Sequence, residues 1–155
     1  MSKTNSNQDL SVLSGNKNGL VFLTPNDWAL VADKGVRMQF KAGESIVRKG
    51  KRTNGVYLLL KGTASVRLPQ GAFVLGPGEI CGEISFIDDL PATADVVAKD
   101  TAEAYYLDRP TVQSLFELFP HLGSRFYRSL ASSLSRRLRE LISATASTEP
   151  PAKTK

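Results

Sequence analysis

The stretch from Gly78 to Val96, G-E-I-C-G-E-I-S-F-I-D-D-L-P-A-T-A-D-V, holds the residues whose types and spacing best suit chemistry. Two glycine-glutamate pairs, Gly78-Glu79 and Gly82-Glu83, stand close together. A short apolar turn follows, then the acidic pair Asp88-Asp89, Pro91, and small residues leading into a β-branched run. Strand residues are not chosen this way. Glycines let a backbone approach a ligand closely. The residues after Gly82, Ile84 and Ser85 among them, can start a helical turn whose free amides face an anion. Glu83 stands beside them as a hydrogen-bond acceptor. The combination suits a phosphorylated, hydroxyl-bearing ligand such as a nucleotide.

Each of these residues also has a plainer reading. Glu83 can serve only as a turn acid capping a short helix, and Thr93 either offers its hydroxyl to a phosphate or simply enters a strand. Cys81 reads as a small buried residue, and Asp88 and Asp89 as solvated turn acids with no second acidic cluster to work with. The chain has one cysteine and one histidine, His121. That leaves no disulfide framework, no Cys/His metal site and no nucleophile-base-orienter set, so no catalytic residue and no metal are expected.

Composition bounds the class. A chain of 155 residues, 41% hydrophobic and 23% charged, fits one ordinary soluble domain with tails. The net charge of +5 admits nucleic acid, an anionic ligand or basic tails. Direct nucleic-acid binding is disfavoured because aromatic interleaving and a reading helix are both missing. The first residues lack an apolar signal core, and no run approaches the roughly 18 apolar residues of a membrane span. A cytoplasmic protein is expected.

The elements that must position the Gly78 to Val96 stretch follow from pattern. Residues 1–19 are polar enough to predict a flexible arm. Thr24-Pro25-Asn26-Asp27 predicts a capped helix to about Lys34. From Val36 onward, short segments of period two separated by turns predict seven or eight strands, which form a small barrel or roll over about 36–108. Asp108 and Pro110 start a further helix, Pro120 ends it, and His121 to Ile142 predicts one long amphipathic helix. Its apolar stripe is Leu122, Phe126, Leu130, Leu134, Leu138 and Leu141, and its basic face is Arg125, Arg128, Arg136 and Arg139. Residues 143–155 read as a flexible tail, with the domain spanning 20–142.

This order of elements, and the motif within it, resembles the cyclic nucleotide-binding domains of the catabolite activator protein type. In that family the phosphate-binding cassette reads approximately F-G-E-I-A-L-L, a variable turn, then P-R-T-A-T-V. Here the matching residues are Cys81-Gly82-Glu83-Ile84-Ser85-Phe86-Ile87 and Pro91-Ala92-Thr93-Ala94-Asp95-Val96. Phe40 to Glu44 is similar to the family's F-x-x-G-E, Val56 to Gly62 to its Y-x-I-x-x-G, and Leu75 to Glu79 to its L-x-x-G-E. The resemblance implies an α+β fold: a jelly-roll β-roll with an N-terminal helix and C-terminal helices. It further implies ligand contacts at Gly82, Glu83, Ile84, Ser85, Ala92 and Thr93, with Glu83 accepting from a ribose hydroxyl.

One departure alters the ligand that is implied. The family's phosphate-pairing arginine is Ala92 here, which removes a charge-assisted hydrogen bond of about 1.5 to 3 kcal/mol. Cyclic AMP in the family's usual pose is therefore not expected, and the chain is similar to single-domain bacterial members that carry G-E-x-S-F without the arginine. Arg48, Lys49, Lys51 and Arg52, or Arg125 and Arg128, are candidate replacement cations, and a cyclic dinucleotide such as cyclic di-GMP suits dispersed charge. The implied function is a non-enzymatic sensor or adaptor without a cofactor. It would form a homodimer through the final helix and signal to an effector such as a transcription regulator or signalling enzyme. The alternative is a degenerate domain that binds no nucleotide and acts as a dimerisation or interaction module.

Overall fold

The computed structural model describes residues 6–16, 18–69 and 71–148, with side chains described over 9–16, 18–69 and 71–144. Two helices, α1 (Ser6–Gly15) and α2 (Pro25–Lys34), precede five strands: β1 (Val36–Phe40), β2 (Ser45–Val47), β3 (Gly55–Lys61), β4 (Ala64–Leu68) and β5 (Gly71–Leu75). Then come β6 (Ile80–Cys81), the short helix α3 (Glu83–Asp88), β7 (Asp95–Ala98) and β8 (Ala102–Asp108). The described chain closes with α4 (Arg109–Leu118) and α5 (Pro120–Thr148). The strands form two antiparallel four-stranded sheets, ordered β1-β8-β3-β6 and β2-β7-β4-β5. This is the α+β roll that the strand and helix patterns predict.

Strand β3 shows why the two sheets hold together. Val56, Leu58 and Leu60 face the helices and join Trp28, Leu115, Phe126 and Leu130 in one core. Leu59 faces the roll interior, with Phe40, Val66, Leu75 and Val96. A strand buried on both faces reads as a continuous apolar run rather than an alternation, hence G-V-Y-L-L-L-K. The interior is lined by alanines where strands crowd, at Ala64, Ala98, Ala102 and Ala104.

The helix ends are set locally. The Thr24 hydroxyl accepts from the Asp27 amide at 3.1 Å and the Asp27 carboxylate accepts from the Thr24 amide at 2.9 Å, a reciprocal cap. Asp108 accepts from the Thr111 amide at 2.9 Å, with Pro110 in the first turn of α4. Asp27 also accepts both prongs of the Arg125 guanidinium, at 2.6 and 2.9 Å, tying α5 to α2. That contact holds the Asp27 carboxyl below its ordinary value.

Three sequence expectations change. Within the expected flexible arm over 1–19, residues 6–15 are helical, with Leu13 buried in the core. Asp9 anchors this helix by accepting from the Tyr105 hydroxyl at 2.8 Å and from the Arg37 guanidinium. Burial, reinforced by the Asp9 bond, pushes the Tyr105 phenol up to about 12. Local polarity concealed this docking because its partners lie on β1 and β8. The expected tail from 143 begins inside α5, which runs to Thr148; residues 1–5 and 149–155 lie outside the described residues. Ile80 and Cys81, within the stretch judged unlike a strand, pair with Leu58 and Tyr57 of β3. Among the described residues no helix is long and apolar enough to cross a membrane.

Replacing Asp9 with alanine leaves the buried Tyr105 hydroxyl without its acceptor, so the variant should lose about 1 to 3 kcal/mol in urea denaturation. Unchanged stability would show that α1 does not depend on this anchor.

Candidate functional site

The cassette is set by the turn that ends β6. Gly82 adopts φ 82°, and a Cβ there would lie 3.2 Å from the Gly55 carbonyl oxygen, so the left-handed turn and the close approach to β3 both favour glycine. Thr53 pins the turn: its hydroxyl donates to the Gly82 carbonyl at 3.2 Å and its amide to the Ser85 hydroxyl at 3.3 Å. The Ser85 hydroxyl in turn donates to the Leu90 carbonyl. Helix α3 is only six residues long and closes at Asp89 in the left-handed conformation. The chain returns at Ala92, whose amide donates to the Lys51 carbonyl and whose carbonyl accepts from the Gly50 amide, both at 2.8 Å.

These two segments meet at one cavity of about 80 Å³ at the end of the roll. Gly82, Glu83, Ile84, Ser85, Ala92 and Thr93 all line it. Of the proposed cations, none does. Arg48 and Lys49 are exposed, and the Lys49 amide is held by Asp95 at 2.8 Å. Arg52 reaches Asp89 at 3.3 Å. Arg125 is committed to Asp27, and the Arg128 guanidinium stacks 4.0 Å from the Phe22 ring centroid.

The cation that does reach the cavity is Arg137. With Leu134 it closes the cavity from α5, and among the described lining residues it is the single basic one. Its guanidinium lies over the Phe73 ring, 4.5 Å from the centroid, and donates to Glu79 at 3.0 Å. The other Glu79 oxygen accepts from the Gly76 amide at 2.8 Å. The guanidinium thus sits in a half-dry niche between an aromatic face and a carboxylate. Sequence reading placed the arginines on the polar face of the helix and passed over this one. The available signal was its spacing: Arg137 falls three residues after Leu134 and seven after Leu130, on the apolar stripe itself.

Glu83 lies deep in the same place, with 8% of its surface exposed. Burial raises its carboxyl above the ordinary value; its own amide, Arg137 and the Ile84 amide pull the other way, and Glu79 adds to the rise. The first amides of α3 are therefore turned to Glu83. Burial also pushes the Cys81 thiol up. Among the described residues no cluster of three His, Cys, Asp or Glu side chains can hold a metal ion.

A family model described as the cyclic nucleotide-binding domain matches residues 37–118, more than half of the chain. The chain belongs to that family. A cyclic nucleotide-binding domain from Methylobacillus flagellatus superposes with a TM-score of 0.79 at 21% identity, over 97% of this chain and 88% of that one. That likeness concerns the fold. The regulatory subunit of a cAMP-independent protein kinase A from Trypanosoma cruzi, bound to guanosine, superposes with a TM-score of 0.63 at 29% identity, over 74% of this chain and 41% of that one. In sequence, cyclic GMP-binding protein C of Dictyostelium discoideum is 34% identical over 139 residues, which is 81% of this chain and 5% of the relative. The chain spans less than half the length of the curated relatives it matches.

For this cyclic nucleotide-binding domain, the raised Glu83 carboxyl has a defined pH consequence. The cost of burying its charge is fully present above the folded-state value and disappears as pH falls toward the ordinary value near 4.5. Glu83→Gln should therefore be more stable than the parent at pH 7.5, measured by thermal denaturation without added nucleotide, and the gap should close as pH approaches 4.5. An equal loss of stability at both pH values would show that the carboxylate is a structural requirement.

Proposed function

We propose that this chain is a non-enzymatic sensor that takes a guanine nucleotide at the cassette and passes the signal to a partner protein through α5. One observation carries the reading: Gly82 to Ser85 and Ala92 to Ala94, on either side of α3, line one cavity with the buried Glu83 among them. Glu83 would accept from the ribose hydroxyls. A buried carboxylate facing a hydroxyl pair is a strong and selective acceptor, because a ligand without those hydroxyls leaves it unpaired. Guanine is favoured by the relatives whose printed names carry it, a cyclic GMP-binding protein and a kinase subunit bound to guanosine. Cyclic di-GMP remains within the same class. Its dispersed charge would have to be met by Arg137, since Arg48, Lys49, Arg52, Arg125 and Arg128 do not line the cavity.

We further propose a homodimer through the end of α5. Leu138 and Ile142 are 58% and 59% exposed, and Leu141 stands beside them, an apolar stripe continuing the buried one. Covering it with a second copy would remove it from water. The alternative, a module that binds no nucleotide, draws on Ala92 and the small cavity.

Calorimetry and thermal shift against guanosine, cyclic GMP, cyclic di-GMP, cyclic di-AMP and cyclic AMP decide between these readings. A ligand of the folded state at about a hundred times its Kd adds about 2.7 kcal/mol of stability. At least one guanine ligand should do so, and Glu83→Ala should weaken it by about 1.5 to 3 kcal/mol. A flat response throughout would leave the interaction module as the function. Sedimentation should show Leu138→Glu as a monomer and the parent as a dimer; a monomeric parent would contradict the proposed interface.

A further inference from the structure

Arg137 separates two cavities. The cassette cavity of about 80 Å³ lies on one side. On the other, between the β4–β5 hairpin and the last turns of α5, lies a second of about 270 Å³. Among the described residues, Phe73 and Arg137 alone line both. Neither space alone suits a nucleotide, since ligand pockets usually measure about 300 to 1,000 Å³. Joined, the two reach the lower end of that range.

We propose that the Arg137 side chain is a gate across one nucleotide-sized cleft, and that it opens by exchanging Glu79 for the phosphate of an anionic ligand. This rests on the sensor reading and adds to it the cation and the route. The two residues shared by the compartments are Phe73, on β5, and Arg137, a long flexible side chain laid over the Phe73 ring. The Arg137 side chain is 21% exposed, and its guanidinium holds one carboxylate oxygen of a partner whose other oxygen accepts from the Gly76 amide. A phosphate offers that guanidinium a paired, charge-assisted replacement. An uncharged nucleoside offers nothing equivalent, so it gains little from displacing Glu79. Opening also frees the face of Phe73 that the guanidinium covers, in an outer compartment with Leu68 and Leu141, where a base can stack. Sugar at Glu83, phosphate at Arg137 and base at Phe73 then occupy one continuous cleft, without the arginine that Ala92 replaces.

Cys81 provides a readout that needs no ligand. It is the single cysteine of the chain and lines the inner compartment. Arg137→Ala and Glu79→Gln should each speed the labelling of Cys81 by methyl methanethiosulfonate several-fold, at temperatures well below unfolding of either variant. Labelling rates equal to the parent's in both would overturn the gate, whatever the ligand. The ligand arm compares cyclic GMP with guanosine by calorimetry. The parent should prefer cyclic GMP by about ten- to a hundred-fold, Arg137→Ala should bring the two within about two-fold, and Glu79→Gln should tighten cyclic GMP. A preference that survives in Arg137→Ala, or a parent that binds guanosine at least as well, overturns the exchange. If neither ligand binds the parent or Glu79→Gln, the exchange falls, the sensor reading is left with cyclic di-GMP as its guanine ligand, and Cys81 labelling still decides the gate.

Discussion

A guanidinium between two buried carboxylates is the constraint on which this molecule depends. Glu79 lies near enough to Glu83 to add to the cost of ionising that burial imposes on it, and both side chains are buried. In a dry site a charge must be paired or given up. Arg137 answers Glu79 by hydrogen bond and Glu83 through space. It does so from α5, an element that reaches the cassette only because its earlier turns are fixed elsewhere, by Leu122, Phe126 and Leu130 in the helical core and by Arg125 on Asp27. The position of one side chain thus joins the electrostatics of the cassette to the packing of the whole helical layer.

The same helix gives this arrangement a mechanical reach. Along α5 the anchored turns come first, the closing residues Leu134 and Arg137 next, and the exposed Leu138, Leu141 and Ile142 last. In the proposed sensor, a ligand that draws Arg137 to a new partner would carry the following turns of α5, and with them the exposed stripe. A ligand shifts such a balance only by its differential interaction with the two positions. Here that difference would be the exchange of a carboxylate for a phosphate on one guanidinium. In the proposed sensor, the substitution at Ala92 moves the phosphate-binding cation from a loop fixed in the roll to the element that moves.

Much of this was legible from residues alone, and what was missed has a common cause. The Thr24 to Asp27 cap and the Asp108 cap are local signals, and each formed as expected, whereas the V-Y-L-L-L run was read only as one short strand and is buried on both faces in β3. The turn at Gly82 was legible because two glycine-glutamate pairs stand close together, and the structure places Gly82 in the left-handed conformation there. Helix α1 was not, since its polar sequence docks through Asp9 to partners on β1 and β8 that local pattern cannot reveal. The candidate cations failed for a related reason. Arg125 and Arg128 look available on a helical wheel, but the path of α5 across α2 and Phe22 occupies them. That path also carries Arg137, an arginine misplaced on an apolar stripe, to the cassette.

The most direct test of the central claim is the crystal structure of the protein with cyclic GMP. The account predicts the Arg137 guanidinium on the cyclic phosphate and off Glu79, the ribose hydroxyls on Glu83, and the base against Phe73. A complex in which Arg137 stays on Glu79 while the nucleotide lies elsewhere would contradict it.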